Sequence, residues 1–207
     1  MKISFGITVS TELEEIKRLV PFLLENKRIE DEIVILYDQK NGNEEIMDFL
    51  IPYNKLPNVQ TWRGLDFNYD FAEWKNKLNS YCSGDYIFQL DADEMISEYM
   101  VKNVHEIISM NPETDLFFLP RINTVDGITE DHISKWGWRV DDTGKINFPD
   151  YQGRIYKKGM EWRGKVHERV VVPKFYSLLP SEEKEYCIIH HKTINKQEKQ
   201  NDLYANI

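Results

Sequence analysis

Asp91, Asp93 and Glu94 close the stretch Tyr86-Ile-Phe-Gln-Leu-Asp-Ala-Asp-Glu94, directly after a run of apolar and β-forming residues. Ser83-Gly84-Asp85 before it is a turn signal, so the run reads as a buried strand. Acids crowded at the end of a buried strand are costly unless positive charge meets them. A hard divalent cation with oxygen ligands, shared with a phosphate, answers that cost. The plainer reading is that Asp91 and Asp93 only cap the next element, since Asp-x-Asp is a common accident. The surroundings of the motif decide between the two.

Those surroundings follow from periodicity. Residues 3–9 read as a strand. Thr11 with Glu14 forms a capping box, followed by apolar residues at helical spacing from Leu13 to Leu23. Residues 32–37 read as a second strand ending at Asp38, and Asn43 caps a short helix. Residues 58–62 give a third strand. Asn68 or Asp70 caps a helix carrying Phe71, Trp74, Leu78 and Tyr81, and the Asp91 strand comes next. Ser97 caps another helix, and residues 115–119 are again a strand. Strands alternating with helices imply βαβ units and a mostly parallel sheet. Ligands of such sheets sit at the carboxyl ends of the strands. Thr8, Ser10, Asp38 and Asp91 all stand at such ends, so they converge on one crevice, which favours the cation reading.

Past residue 120 the periodicity weakens. Residues 121–150 read as a long irregular segment holding Trp136 and Trp138, and such segments inside compact domains are usually functional. Residues 152–156 and 169–172 are strand-like, residues 186–191 read as a last strand ending in His190-His191, and residues 192–207 read as a polar tail.

The bulk figures narrow the classes. At 207 residues the chain is one domain, or one with an appended flap. A net charge of −9 argues against a broad nucleic-acid footprint. Cys82 and Cys187 are too few for a disulfide framework or a cysteine zinc site and read as free thiols of a reducing compartment. No signal peptide is visible, and the apolar runs fall far short of the roughly twenty residues that span a bilayer. A cytoplasmic protein (host cytoplasm for a virus-encoded one) is expected, with peripheral membrane contact left open. No G-x-G-x-x-G follows the first strand and no G-x-x-x-x-G-K-[ST] occurs, against classical dinucleotide or P-loop chemistry.

Taken in order, the capped first helix, Tyr37-Asp38, Lys75-Asn76, Leu90-Asp-Ala-Asp-Glu94, Arg154-Ile-Tyr and Gly164-Lys-Val-His-Glu168 resemble glycosyltransferase family 2, in a subgroup of lipopolysaccharide-core and related bacterial or viral transferases. The resemblance covers roughly residues 1–191. It implies a GT-A, Rossmann-like α/β domain with helices on both faces of the sheet: a nucleotide-sugar-binding half over residues 1–120, an irregular acceptor and catalytic half over 121–191, and the tail. It implies inverting, Mn²⁺- or Mg²⁺-dependent transfer from a nucleotide-diphosphate sugar, of UDP type, to a glycan or lipid-linked glycan. The motif departs from the family's usual Arg-Asn at Lys75, which keeps the charge but loses bidentate phosphate contact.

The resemblance also distributes roles. Asp93 coordinates the metal, and Asp91 meets the ribose or the metal through water. A late histidine completes the metal site; only one of two adjacent strand residues faces the crevice, and His190 is chosen over His191, with His167 a third candidate. Thr8, Ser10 and Asp38 serve the nucleoside, Lys75 and Arg154 the phosphates, and Trp136 and Trp138 the acceptor. Glu168 is the general base, unless it merely pairs with Arg163 or Arg169; Asp141, Asp142 and Glu161 stand next. The rival readings are a metal-dependent nucleotidyltransferase, a non-catalytic nucleotide-sugar-binding module and, within the transferases, a modifier of viral DNA bases.

Overall fold

The structure, a computed structural model, describes residues 1–206. In chain order the elements are β1 (Ile3–Val9), α1 (Leu13–Asn26), β2 (Glu32–Asp38), α2 (Glu44–Leu50), β3 (Val59–Gly64), α3 (Phe71–Tyr81), β4 (Tyr86–Asp91), β5 (Glu94–Met95), α4 (Glu98–Met110), β6 (Leu116–Asp126), α5 (Glu130–Trp136), β7 (Ile146–Lys157), β8 (Trp162–Arg163), β9 (Arg169–Val170), β10 (Tyr176–Leu178), β11 (Ile188–Thr193) and α6 (Ile194–Ala205).

One curled sheet runs in the order β3-β2-β1-β4-β7-β6-β11-β5, with β10 pairing on β6. The first four strands are parallel, and β7 is antiparallel to both β4 and β6. Strand β2 is buried along its whole length, as a strand covered on both faces must be. Its side chains alternate between two cores. Ile33, Ile35 and Tyr37 face α1, α2 and α4, while Val34 and Leu36 face α3. On β1 the α3 face is Ser4, Gly6 and Thr8. A Cβ at Gly6 would lie 3.2 Å from Leu78, so the glycine lets α3 settle close to the strand.

Asn43, Asp70 and Ser97 cap α2, α3 and α4 through their side chains as expected. Four local expectations fail. The capping box at Thr11 is absent. Glu12 occupies the cap position, and its carboxylate turns back to accept from the Ser10 and Thr11 amides at 2.8 and 2.9 Å. Residues 121–150 are mostly regular. β6 runs on to Asp126, α5 follows, and β7 returns from Ile146, leaving irregular backbone only around them. The register shifts in the β6–β7 pairing at Phe117/Phe118 and at Arg121/Asn123, and these bulges break the period-2 alternation that would have marked the strands. The strand-like run 169–172 shrinks to β9, which pairs with β8 alone in a small separate sheet. The tail is a helix, α6, and none of its residues is buried, so there was no apolar stripe to reveal it.

Among the described residues, no helix is long and apolar enough to cross a membrane. Cys82 and Cys187 are buried free thiols, and burial pushes the Cys82 thiol up to about 12.

Candidate active site

A cleft of about 750 Å³ opens over the carboxyl ends of β1, β2 and β4. It is lined by every residue the sequence nominated for a role except Trp136. His167 lines it too, whereas His191, Asp141, Asp142 and Glu161 do not.

The first wall comes from the parallel strands. Thr8 and Asp91 are register partners on β1 and β4, and the Thr8 hydroxyl donates to Asp91 Oδ1 at 3.1 Å. Asp38 is buried where β2 ends. Its Oδ1 accepts from the Lys40 and Asn41 amides, and its Oδ2 from Asn41 Nδ2 at 2.9 Å and Ser10 Oγ at 3.3 Å. Asp38 therefore organises its own turn as well as lining the cleft.

The floor is a chain of buried charges. Arg154, 2 % exposed, donates from Nη2 to Asp91 Oδ2 at 2.9 Å and to Glu94 Oε1 at 2.6 Å. Glu94, fully buried, also receives Arg121 at 3.1 Å and the Asp91 amide at 3.1 Å. Glu94 is thereby absorbed into the floor and takes no part in an open cation site. Arg121 continues to Asp150 through Nε and Nη2, at 3.0 and 2.8 Å. Withdrawal from water raises the Asp91 carboxyl, but Lys75 and Arg154 outweigh it and hold the group well below the carboxylate range.

Lys75 is the second buried cation. Its ammonium lies 3.1 Å from Asp91, 2.7 Å from Glu168 and 4.6 Å from the centre of the Trp162 ring. Asn76 fixes Trp162 by exchanging hydrogen bonds with its backbone at 2.8 and 2.9 Å, and Trp162 Nε1 donates to the Tyr156 hydroxyl at 2.9 Å. The sequence reading assigns Lys75 and Arg154 to phosphates. The fold spends both on carboxylates, because two cations this deeply buried need direct anionic partners. Glu168, in turn, pairs with Lys75 and not with Arg163 or Arg169; Arg163 pairs with Glu161. A turn holding Gly164 at φ +98° and His167 at φ +54° brings Glu168 inward, and the Lys165 carbonyl accepts from the Phe71 amide to dock it on α3.

Asp93 sits differently. The chain leaves β4 and crosses to β5, which pairs antiparallel with β11 so that His190 lies opposite Glu94. His190 Nε2 is then 3.4 Å from Asp93 Oδ2, with Lys192 Nζ at 3.7 Å. His191 points to the other face, against Thr124 and Asp126. Burial raises the Asp93 carboxyl, and His190 and Lys192 bring it below the usual range.

The tautomer of His190 can be traced. Asn123 Nδ2 donates to Asp150 at 2.9 Å, because a carboxylate only accepts; Asn123 Oδ1 therefore faces His190 Nδ1 at 2.8 Å, and that nitrogen carries the hydrogen. His190 Nε2 then faces a carboxylate oxygen at 3.4 Å, a pair that either a proton on Nε2 or a cation between the two atoms would join. One imidazole and one carboxylate are a donor pair that would suit Mn²⁺ or Mg²⁺ shared with the phosphate oxygens of a bound ligand. Among the described residues, no three His, Cys, Asp and Glu side chains form a self-sufficient metal cluster. Asp91 is occupied by Lys75, Arg154 and Thr8, so of the expected metal set only Asp93 and His190 are placed for direct contact.

On the wall next to α5, Trp138 lines the cleft and Trp136 stands behind it, with ring centres 4.7 Å apart; His132 stacks on Trp136 at 5.1 Å. Helix α6, which carried no sequence signal, covers the cleft with Gln197, Gln200, Asn201 and Tyr204. Burial chiefly pushes the Tyr204 phenol up to about 12.

No family model and no curated protein matches the chain by sequence. Solved structures match it by fold. S. aureus TarS 1–349 in complex with UDP superposes with a TM-score of 0.64 at 13% identity, over 92% of this chain and 60% of that one. Another structure of TarS 1–349 gives 0.61 at 12% identity with the same coverage, and its complex with UDP-GlcNAc gives 0.57 at 13%, over 89% and 60%. The chain thus spans about three fifths of the TarS region it matches. At this identity the likeness establishes the architecture, a GT-A-type Rossmann-like fold.

Proposed function

We propose that this GT-A domain transfers a sugar from a UDP-sugar to a hydroxyl of a glycan or lipid-linked glycan, with inversion and with a divalent cation. The observation that carries the reading is His190 Nε2 facing the Asp93 carboxylate at 3.4 Å, at the end of parallel strands where such sheets take their ligands. The UDP and UDP-GlcNAc complexes of TarS, which has the same fold, support the choice of donor.

In this reading the nucleoside lies along Thr8, Ser10 and Asp38. Asp93 and His190 hold Mn²⁺ or Mg²⁺ against the diphosphate, where the ion would neutralise the leaving group. Asp91 stays tied to Lys75 and Arg154 and offers its remaining acceptor capacity to the ribose. Lys75 fixes Glu168 Oε1, so Oε2 is the oxygen left to take the proton of the acceptor hydroxyl as the new bond forms. Trp138 offers an aromatic face to the acceptor ring.

Calorimetry with UDP tests the reading. Wild type should bind UDP at least about tenfold more tightly with Mn²⁺ than without, a gain of about 1.4 kcal/mol. Asp93→Ala should lose that dependence while its thermal midpoint stays near wild type. Equal UDP affinity with and without Mn²⁺ in wild type would overturn the cation, and absence of UDP binding would overturn the donor.

A further inference from the structure

A helix lying on a protein normally turns apolar residues inward at i, i+3, i+4 and i+7. Past Ile194, α6 turns mostly amides inward instead. The residues at that spacing are Gln197, Gln200, Asn201 and Tyr204, all partly covered and all lining the cleft, while Glu198, Lys199, Asp202 and Leu203 face solvent. A half-buried amide face has no driving force against an apolar core; it fits a space filled by a polar ligand.

The helix is held in place without that face being consumed. Lys196 pairs with Glu15 of α1, and Glu198 meets His132 of α5 at 3.4 Å, so α6 bridges the two halves over the cleft. Tyr204 packs edge-on against Phe71 and His167 at 5.7 and 5.5 Å. Gln200 accepts from Lys192 at 2.5 Å and donates to the Tyr204 hydroxyl at 2.8 Å, and Gln197 donates to Asn201 at 2.9 Å. A primary amide offers two donors and two acceptor lone pairs, so each retains unused capacity.

Position along the cleft narrows what those amides meet. Lys192 links Gln200 to Asp93, which places the amide row beside the expected diphosphate end of the cleft. The group attached beyond the diphosphate of a nucleotide-sugar is the sugar. We propose that the Gln197/Gln200/Asn201 face of α6 is the recognition subsite for the transferred sugar, an uncharged hydroxyl- and amide-bearing hexose, and that it sets donor specificity. The proposal rests on the UDP-sugar reading above.

The test uses the pair Gln197→Leu with Asn201→Leu, since these two side chains bond each other and leucine removes the amides without lowering helix preference. UDP, UDP-glucose, UDP-galactose and UDP-N-acetylglucosamine are titrated by calorimetry with Mn²⁺ present. Wild type should bind at least one UDP-sugar more tightly than UDP. The double variant should keep the UDP affinity of wild type and lose about tenfold of the preference for that sugar. An unchanged preference overturns the subsite, as does a wild type that binds every UDP-sugar no better than UDP. Failure of wild type to bind UDP at all overturns the underlying reading along with it, so the two failures are distinct. Hydrogen exchange on wild type needs no variant: amides of residues 194–205 should be slowed by the preferred UDP-sugar beyond the slowing UDP gives. Equal protection by both overturns the subsite even if the double variant does not fold.

Discussion

The sheet carries buried acids at both of its ends, and only one end is built for chemistry. At the amino end, Glu32 is 1 % exposed and receives Ser4 Oγ and the Ser83 amide on Oε1 and Lys2 and Ser83 Oγ on Oε2, all within 2.7 Å. Asp31 beside it receives the Ile3 amide at 2.8 Å and faces His105 at 2.7 Å. Backbone closes over this cluster, and a Cβ at Gly84 would lie 2.7 Å from Ser4. At the carboxyl end, Asp91, Asp93 and Glu168 line an open cleft above the buried Glu94, and capacity is left over. The buried Arg154 Nε and Gln89 Oε1 have no partner, and His190 Nε2 faces the Asp93 carboxylate across the cleft at 3.4 Å. Burial alone does not mark a functional acid, since both clusters are buried. Bonding capacity left unmet beside an open cleft does.

The largest expected effect sharpens this contrast inside the carboxyl-end cluster. Arg154→Met should destabilise the protein by about 3–5 kcal/mol in urea unfolding, because it strands Glu94 in the interior and strips one cation from Asp91. A loss under about 1 kcal/mol would mean that Arg121 and Lys75 suffice. The floor would then be catalytic equipment and not also a structural clamp.

The amino end gives the complementary prediction. Burial raises the Glu32 carboxyl, but Lys2, Ser4 and Ser83 outweigh it and bring it from 4.5 down to about 2. A depressed folded value means the stabilisation is complete above the unfolded value and is lost as pH falls from there to about 2. Wild type should lose about 3 kcal/mol through this group over that window. Glu32→Gln should flatten that part of the curve in urea unfolding at stepped pH, and should leave UDP binding at neutral pH unchanged. Parallel stability curves for the two proteins would remove Glu32 from the account.

Much of the contrast was legible in the residues. Apolar strands ending at Thr8, Asp38 and Asp91 gave the parallel sheet and its ligand end, and strand alternation separated His190 from His191. Three things stayed hidden. Lys75 lies on a helix face one step from Trp74, and sequence treats a lysine as solvated; its burial follows from Trp162, some ninety residues on. The Arg121–Asp150–Asn123 chain depends on a bulged pairing whose broken alternation hides the strands. α6 has no apolar stripe because it faces a cleft, so the feature that makes it interesting is the one that concealed it.

Glu168→Gln separates chemistry from both structural roles. It keeps the shape and the contact to Lys75 while removing basicity. Donor binding with Mn²⁺ should be retained and kcat should fall roughly 10²-fold, about 2.7 kcal/mol of barrier. If transfer inverts as proposed, an α-linked donor should give a β-linked product, readable from the anomeric proton coupling of a gluco- or galacto-configured sugar. Near wild-type turnover would move the base away from Glu168, and a product of retained configuration would end the inverting mechanism.

The smallest effect is expected at Trp138, where the cleft meets solvent and the contrast between structural and functional ends is least protected by burial. α5 has no buried residue, and Trp136 and Trp138 lie apart from both apolar cores, so the pair does not hold the fold together. Trp138 presents its ring to the cleft, and Trp136 and His132 stack behind to keep it upright. A sugar ring laid on that face gains apolar contact but few hydrogen bonds, which sets the scale at roughly 1 kcal/mol. Trp138→Ala should therefore raise the acceptor KM several-fold, leave the donor KM and the thermal midpoint near wild type, and touch kcat little, the pattern of lost ground-state binding. Trp136→Ala should show the same direction at smaller size, because it acts only through its neighbour. Equal rises in both KM values would mean that Trp138 shapes the donor side through the cleft wall. A fall in stability comparable to that of Arg154→Met would make the aromatic ladder structural, and the boundary between the two kinds of site would lie deeper in the cleft than the leftover capacity at its floor implies.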